Sequence, residues 1–271
     1  MQDMRTLFEL ASHGPDTYVG AGRQYPWGGL YGGHIVAQAL RAATLTVDDG
    51  SPAHSLRAYF IRRGDNSEPI RYEVDRIRNG RSFTTRRVVA RQSNGAILNL
   101  EASFHRGERS RDTTFVTCPE GIPGPLEFPK DSWTAAFDRR MVPQDRVPTP
   151  PIGAGRTLVW TRVDDDLGDE TWLHQCALAY ISDDFPADSV RSTFPPELRD
   201  HQPFVASLDH TIWFHRPARA DDWLLYDMVC HSYVAARGLV VGQVYSSSGV
   251  HVATVAQEVL MRAAEPEAPA S

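Results

Sequence analysis

The run Ser55-Leu56-Arg57-Ala58-Tyr59-Phe60-Ile61-Arg62 ends in a tripeptide that returns later as Phe214-His215-Arg216. Each is followed by a turn, a β-rich run and a second turn, at Asn94-Gly95 and at Ser248-Gly249. The spacing is the same for both landmarks: 214 − 60 = 154 and 249 − 95 = 154. A strand–turn–strand block repeated at one offset is the pattern of a duplicated small domain. Differences between the copies then become candidates for chemistry.

Ahead of the first run lies Gly32-Gly33-His34-Ile35-Val36-Ala37-Gln38-Ala39-Leu40. Ile35, Val36, Ala39, Leu40 and Ala43 recur at helical spacing, which predicts an amphipathic helix. Four β-like runs follow, at 55–61, 70–78, 82–92 and 96–105, with Asn94-Gly95 as a strong hairpin signal. The second copy repeats this order. A strand is expected over 158–162, a helix over 172–182, then strands over 205–214, 223–231, 238–246 and 250–262. Cys176, Ala177 and Ala179 would let a sheet approach that helix closely. Pro186, Pro195 and Pro196 mark a loop after it.

One helix followed by a meandering antiparallel sheet is an α+β pattern. A central helix wrapped by such a sheet is the hotdog arrangement. Two in one chain predict a double hotdog whose sheets join edge to edge, covering strands otherwise exposed. The division expected is a first repeat over 1–106, a Pro-rich linker over 107–151, a second repeat over 152–264 and a tail over 265–271. A short helix is expected in the linker near Trp133–Arg140.

The chain has 271 residues, 41% hydrophobic and 23% charged, enough for a sizeable core in an ordinary globular protein. Its net charge of −6 argues against broad nucleic-acid binding, which needs a basic surface. Cys118, Cys176 and Cys230 are far apart and odd in number, as expected of reduced thiols in the cytoplasm. Met1 to Leu10 lacks a signal peptide's apolar core, and the final Ala-Pro-Ala-Ser is not a peroxisomal address. No apolar run reaches the roughly 18 residues of a membrane span. No Gly-x-Ser-x-Gly elbow, His-Glu-x-x-His motif, Walker loop or metal-ligand cluster occurs, and neither a cofactor nor a metal is expected.

Polar residues inside apolar runs are the remaining clue. Asp183 ends the second helix, Ser207 opens a strand, and Gln257 sits deep in the last strand. Each has an ordinary reading as a solvated helix end, a strand-start hydroxyl or an outward-facing amide. A glutamine facing inward would need partners for its amide.

With their surroundings, the three resemble the type II acyl-CoA thioesterases, the group of bacterial thioesterase II and the peroxisomal acyl-CoA thioesterases. The resemblance rests on Tyr31-Gly32-Gly33-His34-Ile35-Val36-Ala37-Gln38-Ala39-Leu40, His54–Phe60 and Asn79-Gly80-Arg81-Ser82-Phe83. Its most specific piece is Leu208-Asp209-His210-Thr211-Ile212-Trp213-Phe214-His215-Arg216-Pro217, extended by Trp223–Tyr226, Ala236-Arg237-Gly238 and Val255-Ala256-Gln257-Glu258. The 107–151 linker has no match to the family pattern.

What the resemblance implies is an acyl-CoA substrate and a catalytic trio of aspartate, serine or threonine, and glutamine. These fall on Asp183 in Tyr180-Ile181-Ser182-Asp183, on Ser207 two residues before Asp209-His210, and on Gln257 before Glu258. Asp183 would orient and deprotonate a water, at a helix C-terminus whose partial negative charge raises a carboxyl pKa slightly. Ser207 and Gln257 would fix that water's other hydrogen-bonding directions, or Gln257 would donate to the carbonyl oxygen as charge develops there. No covalent acyl-enzyme is implied.

At the offset of 154, Ala53 stands opposite Ser207 and Ser103 opposite Gln257, and Arg41–Leu45 offers no carboxylate. One site per chain is therefore expected, in the second copy. Arg62, Arg216 and Arg237 are candidates for binding CoA, with structural ion pairs as the alternative. A homo-oligomer is expected because hotdog proteins associate through sheet edges. Two other readings are a 2-enoyl-CoA hydratase of the same fold and a non-catalytic acyl-CoA binding protein. The hydratase's Asp-x-Asn-x-x-His loop is not found, since Asp209 and His210 are adjacent.

Overall fold

The computed structural model describes residues 3–48, 51–146, 155–195 and 204–262. The expected tail over 265–271 and the linker prolines Pro148, Pro150 and Pro151 lie outside the described residues. In chain order the elements begin with α1 (Met4–Leu7), β1 (Ala11–Ser12), β2 (Thr17–Gly20) and α2 (Gly32–Thr44). They continue with β3 (Ala53–Phe60), β4 (Ile70–Asn79), β5 (Phe83–Gln92), β6 (Gly95–His105) and β7 (Phe137–Val142). The second half holds β8 (Arg156–Val163), α3 (Thr171–Ser182), α4 (Pro186–Arg191), β9 (Phe204–Ser207), β10 (Asp209–Phe214), β11 (Leu224–Val234), β12 (Arg237–Ser246) and β13 (His251–Arg262).

All the strands join one antiparallel sheet, the double hotdog expected from the sequence. The first copy runs β2-β4-β5-β6-β3 across the sheet, and the second runs β8-β11-β12-β13-β10, the same order about a pseudo-twofold. The copies meet where β3 pairs β10, from Ser55 opposite Trp213 to Tyr59 opposite Asp209. Alternation builds the core. Leu100, Ala102 and Phe104 of β6 are buried while Asn99, Glu101 and Ser103 between them are more exposed, as period-two side chains require; Ile97 and Leu98, near the start of the strand, are both buried. Each large apolar side chain buried this way contributes about 1.5–3 kcal/mol.

Helix α2 packs on β5, β6 and α3. Ala37, Ala39, Ala42 and Ala43 on α2, with Cys176, Ala177 and Ala179 on α3, are fully buried and small enough to permit close contact. The helices run antiparallel. Gly33 at the start of α2 meets Asp183 after α3, and at the other end the Arg41 guanidinium lies 3.6 Å from the Trp172 ring centroid.

Four expectations need correction. Residues around Trp133–Arg140 form no helix; β7 pairs β8 from Phe137 opposite Val163 to Val142 opposite Leu158. Phe137 and Met141 have helical spacing, but the backbone of β8 would otherwise be an open edge, and pairing prevails. The loop containing Pro186 includes α4, with Pro186 in the first turn, where its missing N–H costs nothing. The run 205–214 is two strands broken at Leu208. Glu258 N–H bonds the Asp209 side chain at 2.6 Å there, and the Glu258 carbonyl accepts from Leu208 N–H at 2.9 Å.

The fourth correction concerns the offset. Strand β12 follows β5 at 154, but the next hairpin is one residue longer: four residues separate the pair Arg91–Ala96 and five separate Tyr245–His251. Arg86 pairs Ala102, and Val240, its counterpart, pairs Gln257. The counterpart of Gln257 is therefore Ala102, not Ser103, which bonds His54 at 2.8 Å.

Candidate active site

Asp183 caps the C-terminus of α3, one residue beyond the buried stretch Tyr180-Ile181-Ser182, and is 7% exposed. The Ser207 hydroxyl donates to its Oδ1 at 2.9 Å, and the Gln257 amide Nε2 donates to the same oxygen at 2.9 Å. Gln257 Nε2 also donates to Ser207 Oγ at 2.8 Å. The three residues anticipated from the sequence thus touch one another, although they come from α3, β9 and β13.

Local structure explains each placement. Ala253, Val255, Val259 and Met261 line the buried face of β13, and Gln257 falls on that face in the same alternation at 1% exposed. Its inward position answers the question the sequence left open. Ser207 stands at the break between β9 and β10, where the interrupted ladder frees its side chain to turn toward Asp183.

A fourth group was not anticipated. Gly33 N–H, in the first turn of α2, donates to Asp183 Oδ2 at 2.8 Å. The first copy therefore supplies part of the site. A Cβ on Gly32 would come within 2.5 Å of Asp183 Oδ2, and one on Gly33 within 2.2 Å of the Tyr180 carbonyl oxygen. Only glycine permits this approach. The adjacent glycines at a predicted helix start were the available signal.

Burial is the main force on Asp183 and pushes its pKa up to about 7. The bonds from Ser207, Gln257 and Gly33 pull it down, and the nearby Asp184 charge adds to the rise. The two helix ends oppose each other here: the C-terminus of α3 disfavours the anion and the N-terminus of α2 favours it. Asp184 is held by Arg139 at 2.8 Å and by the Trp133 indole N–H at 2.7 Å, so the connecting segment buttresses the site.

Two further side chains adjoin the trio. His210 lies fully buried, its Nδ1 2.5 Å from Gln257 Oε1 and its Nε2 2.9 Å from Ser182 Oγ. It shares the buried face of β10 with Ile212, a placement legible once the strand was recognised. Beside the start of α2, Tyr25, Trp27, Tyr31, Trp133 and Tyr180 form a connected aromatic cluster with centroid separations of 4.9–5.8 Å.

Among the described residues, the corresponding place in the first copy has no such trio. Ala53, Leu56 and Ala102 stand where Ser207, His210 and Gln257 stand in the second. Arg86, 2% exposed, closes that end of α2 by donating to Thr46 Oγ1 at 2.7 Å and to the Thr46 carbonyl at 2.9 Å. The arginines weighed for CoA binding hold structural partners: Arg62 bonds the Ala96 carbonyl, Arg216 pairs with Asp112, and Arg237 pairs with Glu258. Among the described residues no group of His, Cys, Asp or Glu is arranged to hold a metal ion, and no helix is long and apolar enough to cross a membrane.

Comparison with known proteins gives a consistent result. Residues 22–105 match the family model for the acyl-CoA thioesterase N-terminal domain, and residues 115–261 match that for the acyl-CoA thioesterase C-terminal domain. The second match takes in most of the segment that the sequence alone left unmatched. Human acyl-coenzyme A thioesterase 8 is 31% identical, over 95% of this chain and 88% of that protein. Acyl-CoA thioesterase 2 of Haemophilus influenzae is 30% identical, over 87% of this chain and 88% of that one. The crystal structure of an acyl-CoA thioesterase II, TesB2, from Mycobacterium marinum superposes with a TM-score of 0.87 at 37% identity, covering 97% of this chain and 99% of that one.

Proposed function

The chain belongs to the acyl-CoA thioesterase family and is a thioester hydrolase, and from that premise we propose that it cleaves acyl-CoA with a water activated by Asp183. The observation that carries the proposal is Asp183 itself. A nearly sealed carboxyl, with ionisation moved up to about 7, accepts bonds from Ser207, Gln257 and Gly33. A base with its pKa near neutrality is matched to taking a proton from water.

Ionised Asp183 takes a proton from the water as its oxygen bonds to the acyl carbon. The tetrahedral intermediate then breaks its carbon–sulfur bond, and the proton on Asp183 goes to the departing thiolate of CoA. The products are a free fatty acid and CoA, with no covalent acyl-enzyme. Both N–H groups of Gln257 are engaged by Asp183 and Ser207, which favours orientation of the base over donation to the carbonyl oxygen. The aromatic cluster beside α2 suits an apolar acyl group.

Each chain carries one such site, built on the second copy over 152–264 and completed by α2 of the first over 1–106, with 107–151 connecting them. The three unpaired cysteines support a cytoplasmic setting, and the sheet edges at β1 and β7 suit association into a homo-oligomer.

Ser207→Ala and Gln257→Ala are each expected to lower kcat more than they raise KM, because both groups act on the base and its water rather than on CoA. Release of free thiol from acyl-CoAs of several chain lengths measures both constants. A raised KM with unchanged kcat for either variant would remove that residue from the proposed role.

A further inference from the structure

We infer that His210 is a positioning residue that fixes which way round the Gln257 amide faces, so that its nitrogen rather than its oxygen meets Asp183. The inference rests on the reading of Asp183 and Gln257 given above. It follows from donors and acceptors around a closed ring: Ser182 to His210, His210 to Gln257, and Gln257 to Asp183, which is bonded to Ser182 through the chain.

Ionised Asp183 can only accept. Gln257 must therefore present Nε2 to it, which leaves Oε1 facing His210 Nδ1 at 2.5 Å. An amide oxygen can only accept, so Nδ1 carries the hydrogen. Burial pushes the His210 pKa down to about 4, which keeps the ring neutral at ordinary pH with a single N–H. Nε2 then holds a lone pair, and the Ser182 hydroxyl donates to it at 2.9 Å in preference to the Ala179 carbonyl at 3.4 Å. Without the donor at Nδ1, only Asp183 and Ser207 still hold the amide, and the fraction of the amide that turns over rises. Its oxygen would then face the Asp183 carboxylate, and Ser207 would lose its bond from Nε2.

A space-filling role does not account for a histidine here. The first copy puts Leu56 at the matching position, fully buried in the same sheet, so the fold accepts an aliphatic side chain there. Burying an imidazole has a desolvation cost that leucine avoids. Its two nitrogens both bond to side chains that adjoin Asp183.

The test compares His210→Leu, which copies the first repeat, with His210→Asn, whose side-chain amide can still donate toward Gln257 Oε1. The leucine variant is expected to lose about 10²-fold in kcat, the scale of a misplaced catalytic group, with KM within about twofold. The asparagine variant should recover most of that loss. In a Gln257→Ala background, His210→Leu should cost almost nothing further, because the amide it orients is gone. Wild-type kcat in the leucine variant, or a full additional loss in the double variant, would overturn the inference. Wild-type turnover in Gln257→Ala alone would instead overturn the role of Gln257. Nitrogen NMR on labelled wild-type enzyme gives a check that needs no variant: Nδ1 should carry the proton and Nε2 should not. The opposite tautomer would refute the assignment even if the leucine variant failed to fold.

Discussion

Asp183→Asn is expected to lower kcat by about 10²–10⁴, the range for loss of a general base. The side chains are nearly isosteric, and the new carbonyl oxygen can still accept from Ser207 and Gln257. Its amide would face Gly33 N–H, a mismatch of about 1–3 kcal/mol that the fold should survive. The wild-type enzyme supplies the matching pH signature. With the Asp183 pKa moved up to about 7, kcat/KM should rise through that pH as the carboxyl ionises and then level off. Residual activity of the asparagine variant should lack that limb. Stability should move the opposite way: the folded carboxyl keeps its proton to higher pH than the unfolded one, so this group lowers stability as pH rises from about 4 to about 7. Wild-type turnover in a folded Asp183→Asn enzyme would remove Asp183 from the mechanism.

Gly33→Ala should be nearly as damaging, although it removes no chemical group. The added Cβ would lie 2.2 Å from the Tyr180 carbonyl oxygen and 2.6 Å from the Tyr31 ring. The carbonyl belongs to α3 and cannot swing aside, so the start of α2 must move. Overpacking of this kind costs about 1–3 kcal/mol, and a shift near 1 Å at a catalytic group costs about 10²-fold in rate. Both thermal midpoint and kcat should fall. Gly107→Ala is the control: nothing lies within 4 Å of its added Cβ, and neither quantity should change. Unchanged kcat in Gly33→Ala would mean that α2 does not hold the carboxylate.

The contrast between Gly33 and Gln257 marks where sequence reading stops. Gln257 stood out as one polar intruder in an apolar run, with the face it takes left open, and β3 to β6 and β11 to β13 were legible as β-rich runs between turn signals. Their turn signals are local: Gly95, with φ of 108°, closes the hairpin as the Asn94-Gly95 pair implies. Gly33 and His210 act through contacts 150 and 47 residues away, and no local pattern encodes such a distance. β7 escaped notice for a related cause, since it is a strand only because β8 offers an edge. Ser103 was misplaced because a fixed offset cannot register one extra hairpin residue. Resemblance to known thioesterases located Asp183, Ser207 and Gln257 as a trio, for which the residues alone gave only ordinary readings.

Direct attack by water is the central claim, and one measurement addresses it most closely. Enzyme in excess over acyl-CoA completes a single turnover in water enriched in the heavy oxygen isotope, and the acid product and the peptide bearing Asp183 are weighed by mass spectrometry. Attack by water on the acyl carbon puts one heavy oxygen into every molecule of free acid and none into Asp183. Unlabelled acid, with the heavy oxygen in the Asp183 carboxylate, would show that the aspartate attacked first and would contradict the mechanism.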